Sequence, residues 1–171
     1  LRGYVEQDVH TKRYGATVMT LTLARSVLSG LDLVTCARVV MSPLSDSVGE
    51  SVHVAKRTRV GAVYIAQVRQ AGRISIETEI GAQPIIHATA TGKALYLHDD
   101  EDSVRSILDL PLIPLTDRTV TTVSDFMAEL QRTAERGYAV DDEEMTLDVR
   151  CVAAPIFDMY GSVTACIGIS G

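Results

Sequence analysis

Apolar residues recur at helical spacing through the first part of the chain. The period of about 3.6 residues starts near Met19, and Gly30 is typical of a helix end. Asp32 is suited to cap a second helix that continues to Val48. Pro43 lies inside this second stretch and predicts a kink or a restart of the helix. The apolar positions that carry the pattern are Leu21, Ala24 and Leu28, followed by Val34, Ala37, Val40, Met41, Leu44 and Val48.

The spacing of the apolar residues then changes to two, which is typical of strands. Residues 51–57 place Val52 and Val54 on one face, and residues 60–68 follow after a turn. A third run covers residues 73–80 after another turn. The three runs together predict an antiparallel meander.

Helical patterns return in the second half of the chain. Residues 91–97 and 99–108 predict two short helices, the second of them capped by Asp99. A Pro- and Thr-rich connection follows, and residues 123–136 then form a clear amphipathic helix pattern that ends at Gly137.

Two apolar runs close the chain and flank a turn at residues 158–161, as in a β-hairpin. Their pairing would bring Cys151, Gly168 and Ser170 to one end of a sheet. The strands are grouped apart from the helices rather than alternating with them. The predicted fold class is therefore α+β, with helices packed on an antiparallel sheet.

Composition narrows the possible functions. The chain has 171 residues, 46% of them hydrophobic, which is enough for one domain with its own core. A net charge of -6 argues against binding of this chain alone to the phosphate backbone of DNA. No apolar run approaches the roughly 20 residues of a membrane span, and three unpatterned cysteines fit a cytoplasmic location. The histidines show no ligand spacing, so neither a metal nor another cofactor is expected.

The amino end differs from the rest of the chain. Residues 1–18 mix acidic and basic side chains, and Leu1 begins in mid-pattern without a starting methionine. We expect this segment to continue from a longer protein.

Small and hydroxyl-bearing residues lie just before a predicted helix at residues 87–94. Free amide groups at a helix start, here at Ala90, Thr91 and Gly92, attract carboxylates and phosphates. The segment is not a phosphate-binding P-loop, because the glycine four residues before the Gly-Lys pair is missing. The alternative is that Thr89 or Thr91 only caps the helix.

The acidic run at residues 141–144 has two interpretations, a ligand-binding carboxylate or a solvated loop. Alternation along the strand that begins at Tyr138 predicts that Asp141, rather than Asp142, faces the candidate pocket. Cys151 begins an apolar strand, where a buried structural cysteine is the usual case. A reactive thiol would need a basic partner, and Arg150 points to the opposite face of the strand.

These elements, in this order, resemble the effector-binding domain of the isocitrate lyase regulator (IclR) family of bacterial transcription factors. The resemblance covers about residues 19–171. Its matching segments are Gly-Glu-Ser-Val at 49–52, residues 87–95, Thr116 and Thr119, residues 137–144, Cys-Val-Ala-Ala-Pro-Ile at 151–156, and Ile-Ser-Gly at 169–171.

The resemblance implies a sheet with packed helices similar to ligand-sensing GAF domains for residues 19–171. It also implies that residues 1–8 are the last strand of a winged helix-turn-helix, so that residues 1–18 are the remnant of its wing and of a linker. Family members assemble into dimers or tetramers, and they contact operator DNA only through the N-terminal domain. No membrane partner is implied.

The resemblance also places an effector site on this chain. Together with the helix start, it selects Ala90, Thr91, Gly92, Asp141, Cys151, Gly168 and Ser170. Gly168 stands where some members have a serine, and Ala90 replaces a glycine seen in others. Both departures bear on the identity of the ligand.

Two functional hypotheses follow. The favoured one is a non-catalytic sensor that binds a small organic acid, with the carboxylate at the helix start and Asp141 accepting a hydrogen bond from the ligand. The alternative is a cysteine-dependent enzyme in which Cys151 attacks a carbonyl, His87 is the base and Asp141 orients it.

Overall fold

The computed structural model describes residues 3–29, 32–70 and 79–171. The chain divides into two compact units, Leu1–Cys36 and Ala37–Gly171. The larger unit contains the sheet, the short helices of the second half and the candidate site. The predicted division of the chain into a remnant and a sensor after residue 18 stays a prediction.

A small antiparallel hairpin lies in the first unit. Strands β1 (Val5–Gln7) and β2 (Tyr14–Ala16) form it. The carboxylate of Asp8 accepts hydrogen bonds from the backbone N–H groups of His10 and Thr11 at 2.9 and 2.6 Å, which stabilises the turn. The assignment of this region to a winged domain stays a prediction.

Two helices follow the hairpin. Helix α1 spans Thr20–Ser29 and helix α2 spans Asp32–Val48. Pro43 lies inside α2, which continues as one helix, so the restart considered from the sequence does not occur. Proline removes one backbone N–H from the helix interior, and the remaining turns on both sides maintain the helix.

Among the described residues, one five-stranded antiparallel sheet organises the second unit. Its strand order is β4-β3-β7-β6-β5. The strands are β3 (Ser51–Thr58), β4 (Gly61–Val68), β5 (Ala139–Asp142), β6 (Arg150–Phe157) and β7 (Val163–Ser170). The first two predicted strands and the closing hairpin are present. The third predicted strand, residues 73–80, falls largely outside the described residues.

Three further helices accompany the sheet. Helix α3 (Ala90–Leu95) is capped by the hydroxyl of Thr89, which accepts from the Gly92 N–H. Helix α5 (Val123–Arg136) has the predicted range and ends, as predicted, at a glycine, which adopts the left-handed conformation. Its N-cap is Thr122.

The N-cap of helix α4 (Glu101–Ile107) lies one residue later than predicted. Its cap is Asp100, whose carboxylate accepts from the Ser103 N–H at 2.8 Å. The prediction of Asp99 as the cap is wrong because that carboxylate pairs with Arg57 on β3, 2.6 Å from the guanidinium. A tertiary ion pair therefore decides between two adjacent aspartates.

The core lies between the sheet and the helices. Every residue of α3 is buried, and this helix packs against β5, β6 and β7, while α5 packs against α3 and β5. The largest fully buried apolar side chains of this core are Tyr96, Phe126, Leu95, Leu130 and Val104. The predicted α+β class, with helices packed on an antiparallel sheet, is confirmed.

Gly92 allows the chain before α3 to lie directly on the helix. A methyl group at this position would lie 2.5 Å from the Cα of Ile86 and closer still to its carbonyl oxygen. We expect Gly92→Ala to lower the free energy of unfolding by about 1–3 kcal/mol, because the clash involves backbone that cannot turn away. Chemical denaturation tests this, with Gly15→Ala as the control because nothing lies within 4 Å of the added group there. Equal stability of the two variants would contradict the expectation.

Candidate functional site

A row of small polar side chains crosses four neighbouring strands. Ser51 on β3 is opposite Ser170 on β7, which is opposite Cys151 on β6, which in turn is opposite Asp141 on β5. All four residues are buried. Because directly opposed residues of neighbouring strands point to the same face, these four side chains lie on one side of the sheet.

Three members of this polar row, Ser170, Cys151 and Asp141, line a cavity of about 140 Å³ on that side of the sheet. The start of α3 and the segment before it form the opposite wall. The described residues that line the cavity are His53, Tyr64, Ala82, Gln83, Pro84, Ile85, Thr89, Ala90, Thr91, Asp141, Met145, Cys151 and Ser170. A small, mostly apolar space with a few converging polar groups is typical of a small-molecule site.

Asp141 is the acidic group of the cavity. Only 1% of the residue is exposed, and its Oδ1 accepts hydrogen bonds from the backbone N–H groups of Glu144 and Met145 at 2.8 and 3.3 Å. Burial raises the pKa of Asp141, and these two backbone hydrogen bonds oppose that rise. The carboxylate therefore both lines the cavity and fixes the turn that follows β5.

The acidic run alternates between two environments. Asp142 is exposed and pairs with Arg118 and Arg150, each at 2.7 Å. Glu143 also pairs with Arg150, whereas Glu144 turns inward. The run is neither a plain solvated loop nor a set of ligand carboxylates, since Asp141 alone of the four lines the cavity.

A buried ion pair holds this turn against α3. The Nζ of the fully buried Lys93 contacts Glu144 Oε1 and donates to the carbonyl oxygen of Val140 at 2.9 Å. Burial raises the pKa of Glu144, and Lys93 opposes the rise. In the sequence, Lys93 is only one residue of the α3 segment. Its role depends on contact with residues about 50 positions away, which local spacing cannot reveal.

A second polar group, which the sequence analysis missed, lies at the other side of the cavity. His53 Nε2 is 3.0 Å from Thr91 Oγ1, and the Tyr64 hydroxyl lies 3.5 Å from the same oxygen. Burial lowers the pKa of His53 to about 4 and raises that of Tyr64 to about 12, so both side chains are neutral at pH 7. A signal was present in the sequence, because His53 alternates with Val52 and Val54 and so faces the other side of β3.

The histidine named as the base in the enzyme alternative lies elsewhere. His87 is absent from the described lining residues, and its Nε2 is 3.1 Å from the carbonyl oxygen of Ile113.

Burial, reinforced by Asp141, raises the pKa of Cys151 to about 12. Arg150 is exposed on the opposite face of β6, as predicted, and does not activate the thiol.

Five of the seven residues predicted for the effector site line the cavity, namely Ala90, Thr91, Asp141, Cys151 and Ser170. Gly92 does not, and its N–H donates to Thr89 at 3.1 Å, so the capping alternative holds for this amide. Gly168 does not line the cavity either, because the imidazole of His53 covers it. The role of all seven in binding an effector stays a prediction.

Two further observations concern the described residues. Within residues 3–29, 32–70 and 79–171, no group of three or more His, Cys, Asp or Glu side chains is placed to hold a metal ion. The helices in those ranges are also too short or too polar to cross a membrane.

The chain is similar to bacterial transcriptional regulators. A family model described as "Bacterial transcriptional regulator IclR C-terminal" matches residues 25–171. The HTH-type transcriptional regulator KdgR of Escherichia coli (strain K12) is 31% identical over 169 residues, which cover 98% of this chain and 64% of KdgR. The HTH-type transcriptional repressor AllR of the same strain is 30% identical over 169 residues, covering 98% of this chain and 62% of AllR. The chain thus spans less than two thirds of the length of these relatives.

Solved structures show the same similarity. The crystal structure of the Thermotoga maritima IclR superposes with a TM-score of 0.81 at 29% identity, covering 99% of this chain and 69% of that one. The C-terminal domain of E. coli KdgR superposes with a TM-score of 0.73 at 32% identity, covering 82% of each chain. The predicted resemblance is confirmed, and the chain belongs to the IclR family of bacterial transcriptional regulators, whose C-terminal domain it contains.

Proposed function

We propose that this chain is the non-catalytic, effector-sensing part of a transcriptional regulator. A small organic acid binds in the cavity between the polar row of the sheet and the start of α3. Binding changes how the regulator engages operator DNA through a winged helix-turn-helix that lies N-terminal to Leu1 in the whole protein.

The two walls of the cavity suit the two ends of such a ligand. The first N–H groups of a helix have no acceptor within the helix, so a carboxylate is accommodated at Ala90 and Thr91. Asp141 lies on the other wall and accepts a hydrogen bond from a hydroxyl or a protonated group of the ligand. Gly92, included in the predicted carboxylate site, is left out because Thr89 already accepts from its N–H.

Unpartnered polar atoms at the cavity carry this proposal. Ser170 Oγ and His53 Nδ1 are both buried, and neither has a hydrogen-bond partner among the described residues. Both residues line the cavity. Buried polar atoms are rarely left without a partner, and a bound ligand would supply one.

The neutral thiol of Cys151 supports a binding role over catalysis. A thiol with a pKa of about 12 is almost entirely protonated at pH 7, and only the thiolate is a strong nucleophile. The proposed base, His87, is directed at a backbone carbonyl. Cys151 therefore acts here as a small wall residue.

A thermal-shift screen of small carboxylic acids tests the sensor function. A ligand at about 100 times its Kd stabilises the folded state by about 2.7 kcal/mol. For a chain of this size, we expect that ligand to raise the Tm by roughly 5–10 °C. The methyl esters of the same acids are the control, since they lack the carboxylate and are expected to give no shift. Turnover of a bound acid by the chain would contradict the non-catalytic assignment.

We propose further that residues 19–48 contribute to self-association into a dimer or tetramer. Several large apolar side chains in this stretch are exposed on the single chain. They are Leu21, Leu23 and Val27 in the first unit, and Val39 and Val40 in the second. Exposed apolar side chains at this density are typical of an interface.

Sedimentation of the purified chain at micromolar concentration is expected to show a dimer or larger closed assembly. Val40→Asp should weaken the assembly because it introduces a charge into the apolar set. Val60→Asp is the matched control, since Val60 is 81% exposed on the turn between β3 and β4. A wild-type monomer, or equal effects of the two substitutions, would contradict the assignment.

A further inference from the structure

The ring of His53 lies over a position of the sheet that has no side chain, Gly168 on β7. His53 on β3 is opposite Gly168 on β7, and each lies two residues along its strand from a member of the polar row, Ser51 or Ser170. A methyl group at Gly168 would lie 2.9 Å from Cε1 of the imidazole and closer still to Nε2. The ring therefore covers the backbone of β7 in space that any other residue at position 168 would fill.

Contacts on two sides fix the ring in this place. Its Nε2 is 3.0 Å from the Thr91 hydroxyl, at the start of α3. The ring of Tyr64 meets it edge to face, with centroids 5.2 Å apart and an angle of 87° between the planes. With only 3% of the residue exposed, His53 is held rather than free to swing into solvent.

One nitrogen of the ring remains unused. Nδ1 is buried and has no hydrogen-bond partner within the described ranges. Because the ring is neutral at pH 7, it offers one donor and one acceptor and no positive charge. It therefore suits an uncharged hydroxyl or carbonyl group of a ligand, and it adds no positive charge that would attract a second carboxylate.

We infer that His53 is a specificity-determining residue of the cavity, placed there by the absence of a side chain at Gly168, and that it selects acids carrying a hydroxyl or carbonyl group beside the carboxylate. The inference rests on the proposed function. Asp141 and His53 then supply two hydrogen-bonding groups on different strands. Together they recognise the polar substituents of one small acid.

Pairs of probe acids that differ only in hydroxyl groups test the inference. Lactate against propionate and gluconate against hexanoate form two such pairs, and isothermal titration of the 171-residue chain measures each Kd. The wild-type chain is expected to prefer the hydroxylated member of at least one pair by roughly tenfold. His53→Phe keeps a ring but no hydrogen-bonding atom, and it is expected to reduce that preference to less than about threefold. His53→Asn is expected to restore part of it.

Gly168 provides the second variant. Gly168→Ala is expected to lower the Tm and to reduce the preference as well, because the added group displaces the imidazole. In the double variant His53→Ala, Gly168→Ala the Tm is expected to recover while the preference stays low. If His53 had only a structural role, the double variant would recover both the Tm and the preference. Recovery of the Tm alone therefore indicates that His53 contacts the ligand.

The outcomes are distinguishable. An unchanged preference in a folded His53→Phe chain, or wild-type stability and preference in Gly168→Ala, would contradict this inference alone. A wild-type chain that binds none of the acids in either pair and none in the wider screen would contradict the proposed function and this inference together.

Discussion

Replacing Asp141 with alanine is expected to weaken effector binding about tenfold or more. The loss of one hydrogen bond to a charged group in a buried site typically costs about 1.5–3 kcal/mol. Asp141 is 1% exposed and lines the cavity, so solvent water does not compensate for the hydrogen bond that is lost. Titration of the variant with the acid that gives the largest thermal shift measures the loss.

Two companion substitutions make this result specific. Asp142→Ala is expected to leave the Kd unchanged within about twofold, because that side chain is exposed and pairs with Arg118 and Arg150 at the surface. Asp141→Asn keeps an oxygen that accepts from the Glu144 and Met145 N–H groups, so it separates loss of charge from loss of the turn. Equal weakening by the two alanine substitutions would mean that the cavity is not the binding site.

Replacing Lys93 with methionine is expected to lower the free energy of unfolding by about 3–5 kcal/mol at pH 8. Removing one partner of a buried ion pair leaves the other charge uncompensated. The side chain of Glu144 is 12% exposed, so water cannot replace the ammonium group. Arg105→Met breaks the exposed pair with Glu101 and is the control, with an expected loss within about 1 kcal/mol.

The loss in Lys93→Met is expected to depend on pH in a defined direction. The folded-state pKa of Glu144 is raised by burial even with Lys93 present, and it rises further without it. A raised carboxyl pKa means that the charged form is disfavoured in the folded state. The part of the destabilisation that comes from the unpaired carboxylate is therefore full above the folded-state pKa of Glu144, decreases as the pH falls through it, and is absent only below the pKa of the unfolded chain.

Chemical denaturation at pH 8 and pH 5 tests this dependence, and the deficit is expected to be smaller at pH 5. The double variant Lys93→Met, Glu144→Gln is expected to recover more than half of the lost stability at pH 8, because it also removes the unpaired charge. A deficit of the same size at both pH values would show that lost packing, and not the buried carboxylate, causes it.

Elements whose boundaries depend on local chemistry were predictable from the sequence. Helix α5 is an example, because its apolar stripe and Gly137 act within the helix itself. The hairpin of β6 and β7 is another, since adjacent strands and a short turn specify each other. The start of α4 was misassigned because Asp99 and Asp100 are locally equivalent, and only the distant Arg57 distinguishes them.

The candidate site was predictable only in part. Asp141 and Cys151 follow from strand alternation and from the family pattern, and both line the cavity. His53 was missed because its position depends on β3 lying beside β7, a pairing between residues more than a hundred positions apart. Lys93 was not singled out because a lysine near a helix start is usually exposed, and its burial depends on Glu144.

A crystal structure of the chain with a bound acid from the screen tests the central claim most directly. The proposed function predicts density for the ligand in the cavity, with its carboxylate at the backbone of Ala90 and Thr91 and a polar group within hydrogen-bond distance of Asp141. Density in a different place, such as the neighbouring cavity that His87 and Ile113 help to line, would contradict the assignment of this site.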